Sequence, residues 1–369
     1  MTGTDEAENR TLVIGAGIVG ASIAYHLARR GVTVTIVDQT GIAAAATGKS
    51  FAWINAHHFK SEIYHRLRYQ SLSEYHLLDR ELGGALGLDW CGALSFDAAG
   101  DAFDERVRGF QRLGYPIEVL SHNQFREREP GYHHPPTRAL YLPLEAAVDP
   151  VRACRALVEG AVKLGARTCF GFEVSALRQT DGRIDGIDTP HGAIDAGHVV
   201  ISAGVGTEGL LAGIDVILPM ANRFGVMLKS RRIERVLNHI IWGDRIHIKQ
   251  QAEGSLVIGE VFSEDWTDRD PAKIAEQMLA DARRHLADVT IEIEHETIGL
   301  RPIPKDGMPV VGAIDGVQGL YVAVMHSGMT LAPIVGRMAV GEILDGLCFE
   351  SFEPYRLRRF QESGTKAAS

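Results

Sequence analysis

The segment Val13-Ile14-Gly15-Ala16-Gly17-Ile18-Val19-Gly20 constrains the fold of this 369-residue chain more than any other. It is a G-x-G-x-x-G run with a short apolar stretch, residues 11–14, in front of it. A run of that kind reads as a buried parallel strand. Behind it, Ile18, Ala21, Ile23, Ala24 and Leu27 are spaced for a helix that Gly31 stops. Residues 32–37 then make a second strand closed by Asp38. In such a β-α-β unit the first glycine permits the tight turn. The second lets backbone approach a pyrophosphate, and the third lets the helix pack on the strand. The helix start offers N–H groups and its positive dipole end to phosphates. Asp38 stands where a carboxylate accepts hydrogen bonds from a ribose, and its charge would repel a 2′-phosphate, which disfavours NADP.

The same pattern occurs again as Gly204-Val205-Gly206-Thr207-Glu208-Gly209, with Lys229, Arg231 and Arg232 downstream as candidate phosphate partners. A crossover between parallel strands needs about a dozen residues or more. Gly213 and Pro219 leave room only for a short helix, so this second hit is not expected to bind a dinucleotide.

The remaining chain alternates regular and irregular stretches. A helix is expected over 61–82, and a helix capped by Asp149 with Pro150 in its first turn follows later. Strands are expected at about 167–178 and 197–202. Residues 86–145, with Pro130, Pro135 and Pro136, have low periodicity and read as an inserted piece. Residues 216–296 read as a second irregular segment of alternating strands holding Trp242 and Trp266. From Gly299 to about 346 glycine-punctuated strand and helix return. The expectation is one nucleotide-binding domain interrupted twice by pieces of another.

Charge and cysteine content narrow the function classes. With 38 basic and 47 acidic residues the formal charge is −9, which argues against a nucleic-acid binder that must neutralise phosphates. The four cysteines, Cys91, Cys154, Cys169 and Cys348, form no C-x-x-C pair, so neither a disulfide framework nor a zinc site is expected. The adjacent pairs His57-His58 and His133-His134 point apart on any regular element, and no metal is assigned. The opening MTGTDEAENR lacks the basic start of a signal peptide, and no apolar run is long enough to span a bilayer. A reduced cytoplasm is the expected compartment.

Taken in order, several segments resemble the D-amino-acid oxidase superfamily of FAD enzymes, above all its glycine oxidase-like and sarcosine oxidase-like members. They are the N-terminal fingerprint, Ala46-Thr47-Gly48-Lys49-Ser50, Ala147-Val148-Asp149-Pro150 and Ile201-Ser202-Ala203-Gly204. Gly299-Leu300-Arg301-Pro302, Lys305-Asp306-Gly307-Met308-Pro309 and the stretch from Gly319 through His326-Ser327-Gly328 to Pro333 complete the series. The resemblance implies a mixed α/β fold with a Rossmann-like FAD-binding domain and an interleaved substrate domain built on a mixed β-sheet. Its boundaries would be 1–85, 146–215 and 297–369 for the FAD domain, and 86–145 and 216–296 for the substrate domain.

Carried over residue by residue, the FAD contacts fall on Gly15, Gly17, Ile18, Val19, Gly20, Asp38 and Gln39. Thr47, Gly48, Lys49 and Ser50 would line the flavin and pyrophosphate, and Val174 would touch adenine. Ala203 and Gly204 would approach the cofactor through backbone, with Gly328, Met329 and Thr330 at the flavin pyrimidine edge. A helix beginning near Met329 also has independent logic, because its positive end would stabilise the negative charge of a reduced flavin. Arg301 matches the arginine that holds the substrate carboxylate, where a planar guanidinium binds in a bidentate way that lysine cannot copy. The alternative is a structural arginine paired with a carboxylate such as Asp306. His247 stands where glycine oxidase has a tyrosine, and Phe262 where it has a methionine. Phe51, Trp53 and Trp266 either line the pocket or pack the core. Covalent-flavin members use a cysteine near the Arg301 segment and none is present here, so FAD is expected to be noncovalent.

The implied enzyme is an FAD-dependent amine or amino-acid oxidase or dehydrogenase. A hydride from the α-carbon of an amino acid or N-substituted amino acid passes to flavin N5, and the imine then hydrolyses. Two alternatives stay open. One is oxidation of a 2-hydroxy acid with His247 as base; the other is a flavoprotein subunit of a hetero-oligomeric dehydrogenase. Oxygen or another electron acceptor, and a homo-oligomeric state, also stay open.

Overall fold

A computed structural model describes residues 10–58, 60–221, 223–243, 245–260 and 270–361. Phe262 and Trp266 lie outside the described residues. The fingerprint strand, Arg10–Ile14, is central in a six-stranded sheet. Across that sheet the order is Val310–Ala313, Leu320–Val324, His198–Ile201, Arg10–Ile14, Thr33–Asp38 and Arg167–Phe170. All neighbours are parallel except Val310–Ala313, which runs antiparallel to Leu320–Val324.

Both faces of this sheet are covered, which is why its strands read as unbroken apolar runs rather than alternating ones. Val13, Ile36 and Val200 join the core formed with the helices Ile18–Arg29, Pro150–Lys163 and Gly328–Asp345. Leu12, Ile14 and Val199 face the opposite way. There they meet Leu177, Ile184 and Ile187 of a small antiparallel sheet, Ala176–Thr180, Arg183–Thr189 and Gly192–Asp195. The single strand expected at 167–178 is therefore two strands in two sheets, separated by Gly171 at φ +81°.

The second large sheet has eight strands and is mixed. Its order is Ile293–Arg301, Arg223–Arg232, Ser255–Glu260, Ile246–Gln250, Ile240–Trp242, Ala93–Ser95, Arg138–Leu142 and Glu118–Ser121. Ile240–Trp242 pairs in parallel with Ala93–Ser95, whereas the other pairs are antiparallel. The Ile293–Arg301 strand runs across the expected boundary at 297. Here the side chains do alternate. Val226, Leu228, Ile246, Ile248 and Ile258 pack with Ile274 and Met278 of the helix Pro271–His285. Gly225, Met227, His247 and Gly259 line a cavity on the other face.

The helix Pro271–His285 is a correction to the reading of 216–296 as irregular strands. Its start carries the same Asp-Pro signal as Asp149-Pro150, since Asp270 accepts a hydrogen bond from Ala272 N at 3.0 Å. The helix expected over 61–82 spans Glu62–Glu81 behind an N-cap Ser61. The second G-x-G-x-x-G folds into a single short turn, Gly204–Gly206, and the six-residue helix Thr207–Ala212, as its spacing required.

Candidate active site

The ends of the Arg10–Ile14 and His198–Ile201 strands lie side by side where the strand order reverses, the usual crevice for ligands in an open α/β sheet. Ser202 N donates to Ile14 O at 2.8 Å, which draws Ser202-Ala203-Gly204 against the fingerprint turn. Gly15 has φ +107°, and a Cβ there would lie 2.8 Å from the Ser202 carbonyl carbon. A Cβ on Gly20 would run into the Gly15 carbonyl oxygen and the Ser202 hydroxyl. Gly17 has only the Thr47 Oγ1 nearby, at 3.2 Å, so its side of the turn is open to a ligand. Thr47 Oγ1 accepts from Ile18 N at 3.1 Å, tying the 43–50 segment to the helix start.

Asp38 closes its strand as expected, half-buried. Its carboxylate accepts from Ala16, Thr40 and Gly41 N–H groups, each at 2.8 Å. Two carboxylate oxygens have about four acceptor sites, so capacity for a hydroxyl remains. Phe172 N donates to Asp38 O at 3.2 Å, which brings half-buried Val174 to the same end of the sheet. Gln39 is exposed beside Asp38.

The helix Gly328–Asp345 begins without a side-chain cap and with no acid in its first turn. Met329 and Thr330 line the cavity together with Lys49, Ser50, Phe51 and Trp53. The Thr330 hydroxyl accepts from Asn55 N at 3.3 Å. Ser327 Oγ accepts from Tyr64 OH and from Arg68 Nη1, each at 2.8 Å. Arg68 was missed by sequence reasoning. It is buried, and its other bonds go to Asn55 O at 3.1 Å and to the Asn55 side chain. These partners are neutral, so its charge acts on the cavity wall. One signal was available: Tyr64, Arg68, Ser71 and Tyr75 fall on one stripe of the helix, and an arginine there faces the core.

The cavity holds about 840 Å³. Three glycines on facing strands, Gly225, Gly259 and Gly299, make room for it. A Cβ on Gly225 would sit 2.5 Å from the Arg301 Cζ, and one on Gly299 would sit 2.9 Å from the Lys49 Cβ. The Arg301 guanidinium therefore lies directly over Gly225. Arg301 is the last residue of its strand. Burial pushes its pKa down, opposed by the charge of Glu260. Asp306 is not its counterion, because Arg359 takes that carboxylate at 2.7 and 3.1 Å.

His247 lies opposite Gly259, boxed by Phe51, Trp53 and Trp242 at ring distances of 5.5–5.8 Å. Burial, then Arg301, pushes its pKa down to about 4, so the ring is neutral at pH 7. Among the described residues its buried Nδ1 has no hydrogen-bond partner. His326 is likewise held at about 3 by burial and by Arg301 and Arg68. His57 sits between Trp53 and Trp242, each 4.5 Å away, with its Nδ1 3.2 Å from Glu145 Oε1. Burial raises the fully buried Glu145 to about 8 and holds His57 well below its usual value. The buried Lys249 does not line the cavity. Its Nζ donates to Ala52 O and Val148 O, both at 2.9 Å, clamping the cavity-lining segment to the 146–148 strand end. Phe51 and Trp53 line the cavity and also pack with the main core, so the two roles left open for them coexist.

Residues 10–341 match a protein-family model described as DAO, FAD dependent oxidoreductase. The chain belongs to the DAO family. It is 26% identical over 343 residues to a glycine oxidase from Bacillus licheniformis, covering 90% of this chain and 92% of the relative. In fold it is similar to a glycine oxidase from Geobacillus kaustophilus, at 24% identity and TM-score 0.86, over 95% of this chain and 99% of the other. An L-amino acid deaminase from Proteus vulgaris superposes with TM-score 0.87 at 16% identity, over 96% and 97% of the two chains. As a DAO-family member the protein is an FAD-dependent oxidoreductase, with the Rossmann-like sheet of that fold. The residues present suit the cofactor: a turn that excludes Cβ atoms at Gly15 and Gly20, an acid at the second strand end, and an uncapped helix start on a cavity. Among the described residues no helix is long and apolar enough to cross a membrane.

Proposed function

We propose that this DAO-family protein oxidises the C–N bond of an amino acid or N-substituted amino acid. The observation that carries the reading is the Arg301 guanidinium set over Gly225 on the floor of a cavity that also meets the Gly328–Asp345 helix start. In it the fingerprint turn, Asp38, Gln39 and Val174 hold the nucleotide end of FAD. Thr47, Gly48, Lys49, Ser50, Ala203, Gly204, Gly328, Met329 and Thr330 hold the remainder. Bound there, FAD supplies the two-electron acceptor for the α C–H bond. Arg301 holds the substrate carboxylate and so fixes the α-carbon in one orientation. His247 stays neutral and accepts a hydrogen bond from the substrate nitrogen, while the Phe51, Trp53 and Trp242 rings exclude water. The oxidised product is an imine, which hydrolyses in solution to a carbonyl acid and an amine or ammonia. The relatives named glycine oxidase support this chemistry.

The neutral His247 with an unpartnered Nδ1 also favours a second reading, in which it takes the hydroxyl proton of a 2-hydroxy acid. Anaerobic flavin bleaching across D-amino, L-amino, N-methylamino and 2-hydroxy acids separates the two. Bleaching by the hydroxy acids alone overturns the amine reading. The nearest cysteine to Arg301 in sequence is the exposed Cys348, so the FAD is proposed to be noncovalent, and acid precipitation should leave the yellow colour in the supernatant.

A further inference from the structure

The cavity is strongly cationic although the chain is not. Seven lysine or arginine side chains line it against three acids, in a chain whose formal charge is −9. Two of those acids are committed: Asp97 to Arg106 at 2.8 Å, and Asp306 to Arg359 at 2.7 Å. The third, Glu260, acts on Arg301. Arg68 is buried among neutral partners.

Arg223 and Arg301 are directly opposite one another in the antiparallel pair of strands. Residues so placed share a face, with Cβ atoms about 4.5–5.5 Å apart, and like charges there repel. Both line the cavity, and both are only half-buried. Among the described residues no carboxylate pairs with Arg223. Neither Asp38 nor any glycine of the fingerprint turn lines this cavity, so Arg223 is not part of the phosphate cradle. Two guanidiniums on one sheet face form a two-point receptor for a ligand with two carboxylates, whose binding removes their repulsion.

Resting on the amino-acid reading above, we infer that the substrate carries a second carboxylate, as an acidic amino acid or an N-carboxyalkyl amino acid does. Arg301 holds the carboxylate beside the reacting carbon and Arg223 holds the distal one. Lys60 and Lys305, exposed on the wall, add an attractive field for a dianion entering from solvent.

The inference is tested with ligands that cannot be oxidised. The FAD-loaded protein is titrated with succinate and glutarate, and with propionate and butyrate, following the flavin absorbance. Wild type should bind each diacid at least about tenfold more tightly than the monoacid that lacks its second carboxylate, propionate for succinate and butyrate for glutarate, and Arg223→Gln should bring that ratio towards one. Arg223→Lys should restore part of it, since the charge returns without the planar fork. A wild-type ratio near one, or a ratio that Arg223→Gln leaves unchanged, overturns the inference. Flavin reduction then separates the two levels. If glycine and alanine reduce the flavin as efficiently as the acidic amino acids, the second-carboxylate inference falls and amino-acid oxidation stands. If no amine reduces it, amino-acid oxidation falls, while the ligand ratio still decides what Arg223 does.

Discussion

Replacing Gly225 by alanine isolates the placement of Arg301 without touching its charge. A Cβ at 225 would sit 2.5 Å from the Arg301 Cζ, where ordinary contact begins at 3.4 Å, so the guanidinium must retreat by about 1 Å. The obstructing group is the far end of a flexible side chain, and Gly225 has no positive φ, so the fold accommodates the change. A displacement of about 1 Å in a positioning group costs on the order of 100-fold in rate, or about 3 kcal/mol in the barrier. The assay is anaerobic stopped-flow reduction of the flavin by an amino acid and by the matching amine without its carboxylate. Flavin occupancy and melting temperature are measured beside it. The expected result is a loss of about 100-fold for the amino acid, little change for the plain amine, and a melting temperature close to wild type. Unchanged reduction by the amino acid would refute the reasoning, because Arg301 could then not be holding the carboxylate from its place over Gly225.

Arg301→Ala should keep FAD yet lose about 2–5 kcal/mol of binding for a carboxylated substrate, and Arg301→Lys should recover only part; equal losses for carboxylated and plain amines would mark it as structural. Gly20→Ala forces a Cβ into the Gly15 carbonyl and the Ser202 hydroxyl, so it should destabilise by about 1–3 kcal/mol and lower flavin content, as read by melting temperature and absorbance. His247, held at about 4 against an ordinary 6.5, binds a proton in the unfolded chain before the folded one does. Its contribution to stability is therefore present above 6.5 and lost as pH falls towards about 4, and His247→Gln should flatten that acid limb of the melting profile. Glu145, raised from 4.5 to about 8, has the opposite sign: its contribution is present below 4.5 and lost as pH rises through about 8. Glu145→Gln should remove that alkaline slope, and an unaltered slope would show the carboxyl to be ionised.

The strand–turn–helix proposed to hold the cofactor was legible because it is built from neighbours in the chain. Gly15, Gly17 and Gly20 with the strand before them and Asp38 after form a local unit whose steric needs are visible as residue types. The helix cap at Asp149 was legible for the same reason; the equal signal at Asp270-Pro271 was available but was overshadowed by the alternating residues around it. The strand at 167–178 was misjudged because nothing local distinguishes one extended run from two that part into different sheets.

The substrate end depends on distances that span the chain. Arg68 meets Ser327 across 259 positions, and Lys249 meets Ala52 across 197. The partner of Asp306 is Arg359, not the arginine five residues before it. Whether Arg223 and Arg301 share a face rests on a register between strands more than sixty residues apart in a sheet, where a slip of one residue would turn one of them to the other side. The burial that keeps His247 neutral belongs to Phe51, Trp53 and Trp242, which reach it from separate segments. Residue types and short spacings determined that the chain forms a strand–turn–helix of the kind that suits a dinucleotide cofactor. Which charges face one another in the cavity was decided only by the packing of strands and helices, because electrostatics follows distance in space and the sequence records only distance along the chain.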